Sequence, residues 1–376
     1  MKTEYLALSF LKGIGIRTAN AVIEFFGSAD AFFNASVQDC LEAGLKPSFC
    51  SNLEKLRSAA SRRAEKEMQL IRQEGISIVC QEDADYPTAL RCCSDAPLVL
   101  YYRGDIGVNG KQGLAVVGTR RASSYGKEQT RQAVEGLRGQ DIFTVSGLAL
   151  GIDTQAHQSS LDYGIPTYAV LAHGLEKVYP EENKDLAQAI IDQGGAIISE
   201  MPLHTQIRAG LFPRRNRIIA GMAQATLVAE ASMKGGAMHT AYAADSYQRS
   251  VFAVPGRNKD YYYEGCNYLI KTGRARLFQN AQDIRREMGL GDMAGLAASN
   301  KAGTSGHQPR TGQAGSQPDL VQSAILELLK SESPASIDYL LQHSGSRLPD
   351  LLSCLLRLEL AGLIHACPGS CYELSG

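Results

Sequence analysis

From Gly113 onward, short apolar runs alternate with helix-length stretches, and this alternation limits the possible folds more than any other feature. Uninterrupted apolar runs rich in β-branched residues are typical of strands buried on both faces, and intervening helices make neighbouring strands parallel. The pattern predicts an α/β domain with a Rossmann-like, doubly wound, mostly parallel sheet. The predicted strands are Leu98–Tyr102, Leu114–Val117, Ile142–Val145, Thr167–Leu171, Ala196–Ser199, Ala225–Ala229, Ser250–Val254 and Ala275–Phe278, with helices at Glu181–Gln193 and His239–Gln248 among them.

Composition shifts divide the chain into four parts. Residues 1–80 have helical patterning and include a glycine turn at Gly13 and Gly15, which resembles a helix-hairpin-helix (SAM-like) element; a plain αα-hairpin remains the alternative. The Rossmann-like domain follows over residues 81–290. Residues 291–318 are rich in Gly, Ala, Ser and Gln and are predicted to be a flexible linker. Residues 319–376 return to helical patterning and predict a small winged-helix module.

The overall composition is that of a globular protein without a global charge bias. The formal net charge is -1, so a polyanion must be bound by a local patch. The nine cysteines are scattered without a C-x-x-C pair, which argues against a zinc site and for a reducing compartment. No stretch approaches the ~20 apolar residues of a membrane span. We therefore expect a cytoplasmic protein without membrane association.

The segment LFPRRNRIIAG, Leu211–Gly221, concentrates positive charge at a predicted helix start. Pro213 suits a first helical turn and predicts that Phe212 is extended just outside the helix. Arginines at 214, 215 and 217 oppose the helix dipole, and no carboxylate occurs from 201 to 229 to neutralise them. Guanidinium groups match phosphate oxygens, so the segment predicts a phosphate site. A solvated basic face is the alternative.

Phe212 has two interpretations at this stage. As a core residue it would stabilise the fold, and as an exposed ring beside arginines it would offer a face on which a nucleic-acid base can stack. The proline that follows it favours the second interpretation.

Glycine-containing loops follow several predicted strands. Gly118-Thr119-Arg120 follows the first strand of the alternating region, Ser146-Gly147 the second, and Lys234-Gly235-Gly236 precedes a helix. Ligands of doubly wound sheets collect at the carboxyl ends of the strands, where glycine backbones and helix starts receive oxyanions. The sequence lacks both G-x-G-x-x-G at the first βα turn and G-x-x-x-x-G-K-[ST], which argues against dinucleotide and ATP sites.

Ser146, Asp153 and His157 lie close together in sequence and have the residue types of a hydrolytic triad. Asp153 and His157 are four residues apart on one predicted helix, and Asp153 also suits its N-terminus. Because local spacing rarely builds triad geometry, we favour a structural role for these residues. The other histidines show no metal-ligand spacing.

Seven motifs occur in an order that is similar to the DNA-processing protein A family, also called DprA or Smf. They are GTRRASSYG, SGLALGIDTQAH, YPEEN, SEMP, FPRRNRIIAG, FAVPG and GCNYLI. The resemblance is close over residues 86–278 and looser outside them. It implies a non-catalytic, homodimeric protein without a cofactor that binds single-stranded DNA through its Rossmann-like domain. It further implies protection of incoming strands in natural transformation and loading of RecA recombinase onto them.

Motif by motif, the resemblance implies phosphate contacts from Arg120, Arg215 and Arg217, and a base contact from Phe212. Two departures stand out: Gly235-Gly236-Ala237-Met238 replaces the usual S-G-S-L, and Ala209 occupies a frequently basic position. The candidate DNA-contacting residues are Gly118, Thr119, Arg120, Ser123, Gly147, Phe212, Arg214, Arg215, Asn216, Arg217, Lys234, Gly235 and Gly236.

Two other classes of function stay open. The sequence from Lys234 to Thr240 also resembles nucleotide-processing Rossmann hydrolases of the lysine decarboxylase-like group, although Ala241 and Tyr242 follow where that group carries a catalytic glutamate. Alternatively, the chain is a protein-interaction module whose arginines bind an acidic partner.

Overall fold

The structure is a computed structural model that describes residues 2–290, 325–331, 333, 335–344, 348–360, 362–367 and 371–374. The chain divides into two compact units, residues 1–297 and 298–376. The linker predicted for residues 291–318 lies outside the described residues. Among the described residues, no helix is long and apolar enough to cross a bilayer.

A nine-stranded sheet forms the centre of residues 2–290, in the order β1-β2-β6-β5-β4-β3-β7-β8-β9. Strands β3 to β9 pair in parallel, whereas β2 runs antiparallel to β6 and β1 runs antiparallel to β2. The predicted doubly wound, mostly parallel sheet is confirmed. The strands are β1 Ser77–Cys80, β2 Val99–Gly104, β3 Gln112–Gly118, β4 Ile142–Ser146, β5 Thr167–Leu171, β6 Ala196–Ser199, β7 Ala225–Glu230, β8 Ser250–Ala253 and β9 Arg276–Leu277.

All eight predicted strands occur, with small shifts at their ends. The interiors of β4, β5, β6 and β7 are fully buried, as expected for strands covered on both faces. Sequence analysis missed β1, because four residues at the sheet edge, one of them exposed, give too short a pattern. It lies within the range 1–80 that was predicted to be helical.

The helices between the strands divide over the two faces of the sheet. The chain winds from β3 to β6 through α8, α9 and α10, and then returns through α11 and α12 to β7 and β8 on the other side of β3. Right-handed crossovers place these two groups on opposite faces. In this part of the chain the helices are α7 Thr88–Arg91, α8 Ser124–Glu135, α9 Ile152–Asp162, α10 Lys184–Asp192, α11 Leu211–Met222, α12 Gly236–Ser246, α13 Glu264–Lys271 and α14 Ala281–Glu287, with 3-10 turns at Glu181–Asn183 and Tyr261–Tyr263.

Six helices precede the sheet. The first packs against the sixth and against β1 and β2, which joins this layer to the sheet edge. Between the first two helices, Gly13 has a φ of +92°, a conformation that other residues rarely adopt. The helices are α1 Lys2–Ser9, α2 Ile16–Phe26, α3 Ala29–Asn34, α4 Val37–Glu42, α5 Pro47–Cys50 and α6 Leu53–Gln73.

The second unit is built from helices and a small antiparallel sheet. Residues 325–331 are helical, and Ile337–Ser344 and Leu348–Leu360 form two further helices. The strands Ala335–Ser336, Cys371–Leu374 and Ile364–Cys367 pair in that spatial order. Leu340, Leu355 and Leu358 are buried in the core of this unit.

A buried carboxylate ties α6 to the segment that leads into α11. Glu67 on α6 is nearly inaccessible, and its Oε1 accepts a hydrogen bond of 2.7 Å from the backbone N–H of Leu203. A buried N–H without an acceptor is costly, so this bond fixes the course of the chain between β6 and α11.

We predict that Glu67→Ala lowers the free energy of unfolding by about 1–3 kcal/mol, because it leaves the N–H of Leu203 without its acceptor. Glu67→Gln keeps a carbonyl oxygen at this position and retains most of the stability. Urea denaturation measures both, with the exposed Glu65→Ala as the control. Equal stabilities for the Ala and Gln variants would contradict the role of this hydrogen bond.

Candidate nucleic-acid interface

A cavity of about 410 Å³ opens at the carboxyl edge of the sheet, where the direction of winding reverses. Strand β3 has β4 on one side and β7 on the other, so the loops after β3 and β7 diverge and leave a crevice between them. The loops after β3, β4 and β7 meet here with the first half of α11. The lining residues are Val117, Gly118, Thr119, Arg120, Arg121, Ala149, Asp153, Arg215, Asn216, Ile219, Ala231, Ser232, Gly235, Gly236, Ala237 and Thr240.

Arg215 is the most deeply placed cation in this cavity. The residue is 6% exposed, and its Nη1 donates a hydrogen bond of 2.5 Å to the carbonyl of Val170 near the end of β5. Burial lowers the pKa of Arg215 to about 10, while the nearby Asp153 carboxylate opposes that shift. The group therefore stays charged at neutral pH. Its Nε is buried without a hydrogen-bond partner, so the guanidinium retains donor capacity.

Two glycines make room for this arrangement. A Cβ on Gly147 would lie 1.9 Å from Nη1 of Arg215, so only glycine allows the guanidinium to pack on this loop. A Cβ on Gly151 would lie 2.3 Å from the carbonyl oxygen of Thr119, and Gly151 has a φ of +88°. These contacts bring the loops after β3 and β4 against each other beneath Arg215.

Phe212 lies between two arginines. The Cζ atoms of Arg120 and Arg215 are 5.1 Å and 5.9 Å from the centre of its ring, within the range of cation–π contacts. With Arg120 and Gly147, the ring lines a small cavity of about 50 Å³ beside the main one. The half-buried ring therefore supports the exposed Arg120 side chain, a role that neither sequence interpretation included.

The predicted extended conformation of Phe212 is wrong. Helix α11 begins at Leu211, so Phe212 and Pro213 both lie in its first turn. The backbone N–H groups of Leu211 and Phe212 donate to the carbonyls of Arg208 and Ala209, and this turn leads directly into the helix. A proline in the first turn loses no helical hydrogen bond, which is why the helix starts before it.

The expectation that no acid neutralises the arginine segment is also wrong. Glu200 lies one residue outside the acid-free window and forms an ion pair with Arg217, which also donates to the carbonyl of Asp95. The side chain of Arg217 is only 12% exposed. Arg214 is 57% exposed, and its Nη2 lies 3.8 Å from Glu200. Arg217 is thus part of the scaffold, while Arg214 remains accessible.

Three helices begin at the cavity without a capping side chain: α9 after Gly151, α11 after Gly210 and α12 after Gly235. Asn216 donates a hydrogen bond of 3.0 Å to the carbonyl of Gly236 and so holds the α12 start against α11. At α9 and α11, protein carbonyls accept from the first N–H groups, those of Ile152 and of Leu211 and Phe212. The turn at Gly235 and Gly236 is therefore the helix start best suited to receive an anion through backbone N–H groups and the positive dipole end. The predicted Lys234 is exposed next to this turn but does not line the cavity.

Ser123 contacts the scaffold instead of the cavity. It caps α8 through a bond from the N–H of Gly126, and its own N–H and Oγ donate to Oε2 of Glu230 at 2.9 Å and 2.8 Å. Glu230 is completely buried at the end of β7. Its backbone carbonyl accepts from the N–H of Thr119, so one residue holds both ends of the loop that presents Arg120.

Ser146, Asp153 and His157 do not form a triad. Ser146 donates to the carbonyl of Val116, Asp153 accepts from the N–H groups of Gly147 and Ala149, and His157 Nδ1 pairs with Thr167 Oγ1. None of these hydrogen bonds joins the histidine to the serine or the aspartate, which supports the structural interpretation. Among the described residues, no cluster of three or more His, Cys, Asp or Glu side chains suits a metal ion.

Sequence reasoning missed several residues at this site. Asn183 of the YPEEN motif is buried and donates to the Leu148 carbonyl and to Thr154 Oγ1, which braces the loop after β4. Tyr179 of the same motif lines the small cavity beside Phe212. The YPEEN motif is recognisable in the sequence. Because Asn183 lies about 30 residues or more after the loop that it contacts, no local sequence pattern predicts their hydrogen bonds.

These features define a Rossmann-like protein with an arginine-lined cavity at the topological switch point. Residues 77–289 match the family described as DNA recombination-mediator protein A, and residues 309–370 match the DprA winged helix domain. The chain therefore belongs to this family, and the predicted family and winged-helix module are confirmed.

Named relatives agree with this assignment. The chain is 35% identical to Protein Smf of Escherichia coli over 77% of its own length and 75% of that protein. It is 40% identical to DNA processing protein DprA of Streptococcus pneumoniae, over 54% of its own length and 72% of that protein. The X-ray structure of the latter superimposes with a TM-score of 0.65, at 30% identity, covering 76% of this chain and 98% of that one.

A second solved structure is that of DNA processing protein A from Helicobacter pylori, whose description concerns its single-stranded DNA binding mode. It has a TM-score of 0.51 and 29% identity, and the match covers 57% of this chain and 95% of that one.

The buried His157 gives the site's scaffold a defined pH dependence. Burial, assisted by the charge of Arg215, lowers the pKa of His157 to about 3. The unfolded chain binds this proton below about pH 6.5, while the folded chain does not bind it until about pH 3. The contribution of His157 to stability is therefore lost as the pH falls through this window.

We predict that this residue alone reduces the free energy of unfolding by about 2 kcal/mol between pH 7 and pH 5. His157→Asn, which keeps a hydrogen-bonding group for Thr167, should remove that part of the pH dependence. Urea denaturation of both proteins at the two pH values tests it. If the wild type and His157→Asn lost the same free energy of unfolding between pH 7 and pH 5, a neutral, buried His157 would be contradicted.

Proposed function

We propose that this protein binds single-stranded DNA in the cavity at the switch point. The observation that carries the proposal is the convergence of Arg120, the recessed Arg215 and the uncapped turn at Gly235 on one cavity. Guanidinium groups and free backbone N–H groups are the donors that bind phosphate oxygens. The proposed phosphate contacts come from Gly118, Thr119, Arg120, Arg214, Arg215, Lys234, Gly235 and Gly236, with Gly147, Asn216, Arg217 and Ser123 positioning them.

A single strand suits this cavity better than a duplex. The guanidinium of Arg215 is recessed, so a phosphate reaches it only if the backbone bends into the crevice and its bases splay apart. The half-buried ring of Phe212 and the exposed Tyr179 beside it offer faces for unpaired bases. The described DNA binding mode of the Helicobacter pylori protein supports the same class of ligand.

We further propose that the bound strand is DNA entering the cell in natural transformation, and that the protein protects it and loads RecA recombinase onto it as a homodimer in the cytoplasm. Family membership supports this role, since the family is described as a recombination mediator. Binding is proposed without catalysis: Thr240 lines the cavity, but Ala241 and Tyr242 follow it where the related hydrolases carry their glutamate.

The decisive experiment is a salt titration with matched single- and double-stranded oligonucleotides. We expect tighter binding of the single strand and a linear fall of log K with log salt. Binding of neither, or release of a base from a nucleoside monophosphate, would favour the interaction-module or hydrolase alternatives.

We predict that Arg120→Ala weakens single-strand binding for every base sequence and reduces the salt slope by about 0.7, the value for one phosphate contact. Arg138→Ala is the matched control, since Arg138 is exposed beyond the end of α8 at the opposite edge of the sheet. A slope equal to that of the wild type in folded Arg120→Ala protein would place the phosphates elsewhere.

For Phe212, we predict that Phe212→Leu weakens binding by about 1–3 kcal/mol and lowers the salt slope by less than Arg120→Ala does, because a leucine keeps apolar volume but loses the aromatic face. The Arg120→Ala/Phe212→Leu pair should lose less than the sum of the single variants, since the two side chains are in contact. Phe212→Tyr should bind like the wild type. Strict additivity would contradict support of Arg120 by the ring.

A further inference from the structure

A second cavity lies on the other side of the α11 start. This groove of about 560 Å³ runs between the glycine turn of the N-terminal helices, strand β2 and the segment after β6. Its floor is largely apolar, with Leu11, Ile14, Leu98 and Met201 among the lining residues. The proposed site does not use this glycine turn.

The charges along the groove favour an anionic occupant. Lys12, Arg63 and Arg214 line it, and all three are exposed. The guanidinium of Arg63 lies 4.1 Å above the ring of Phe10, which holds it in place at the groove. Glu200 is the one acid among the lining residues; it forms an ion pair with Arg217 and lies 3.8 Å from Arg214, so the three cations of the groove still exceed its single negative charge.

The groove adjoins the DNA cavity through a single turn of helix. Arg215 lines the cavity and its neighbour Arg214 lines the groove, so the first turn of α11 borders both. A chain that contacts both arginines passes over this turn from one depression into the other. The exposed residues of the turn, Pro213 and Arg214, leave that path open.

We propose that the groove binds the continuation of the same single strand, with phosphates contacting Lys12, Arg63 and Arg214 and bases lying over the apolar floor. This rests on the proposed function, because the groove extends that site. Each nucleotide of a single strand carries a negatively charged phosphate and a base with an apolar face. These two groups match the cationic side chains and the apolar floor of the groove. The N-terminal helices thereby lengthen the binding site beyond the Rossmann-like domain.

The test compares oligothymidylates of about 6 and about 20 nucleotides, which fill one depression or both. The variant Lys12→Gln/Arg63→Gln should bind the short oligonucleotide like the wild type. On the long one it should bind several-fold more weakly, with a salt slope lower by about 1.4, or about 0.7 for each of two contacts. The control Arg62→Gln/Lys66→Gln removes two exposed charges of the same helical layer outside the groove and should bind both like the wild type.

The outcomes separate the two proposals. Wild-type protein that binds neither length overturns the proposed function. Wild-type protein that binds both, with the groove variant equally tight on the long strand, overturns only the groove. The exposed Lys12→Glu variant provides a second measurement if Arg63 proves necessary for folding, and it should weaken long-strand binding more than short-strand binding. Binding of an acidic peptide, with no length-dependent loss on DNA, would also overturn the proposal.

Discussion

The placement of one buried guanidinium organises the site. Arg215 is held by a carbonyl near the end of β5 and packs on a glycine where any side chain would collide with it. Burying a charge without full compensation costs several kcal/mol, and this guanidinium retains an unpartnered Nε. The fold therefore holds an incompletely compensated cation that lines the cavity at the switch point. An anion in that cavity would offset part of the cost of burying this charge.

Two acids that flank the arginine segment in sequence fix the scaffold around it. Glu200 pairs with Arg217 and fixes α11 against the segment after β6, while Glu230 is buried and holds the loop that carries Arg120. The charges that face outward are then those of Arg120, Arg121, Arg214 and Lys234. A chain with almost no net charge thus presents a local cationic surface without any excess of basic residues.

The sheet was predictable because strands buried on both faces carry their signal locally, in runs such as β5 and β6 whose bounds agree at both ends. Glycine-containing loops at strand ends were predictable for the same reason. The distinction between Arg215 and Arg217 was not predictable, because it depends on which side of α11 meets the Glu200 carboxylate, and the sequence pattern does not give that side. The extended conformation predicted for Phe212 was wrong for a local reason. A residue before proline prefers extended backbone, but the hydrogen-bonded turn at Arg208 and Ala209 leads directly into the helix and outweighs that preference. The bond from Asn183 to the loop after β4 likewise joins segments with no shared local pattern.

The most direct test of the central claim is the structure of this protein with a bound oligothymidylate. We predict a phosphate in the switch-point cavity, about 3 Å from a guanidinium nitrogen of Arg215 and from a backbone nitrogen at the start of α12. We further predict that the Arg215–Val170 hydrogen bond is preserved, since the guanidinium is already in place. A strand bound on another face, with the cavity free of phosphate, would contradict the central claim.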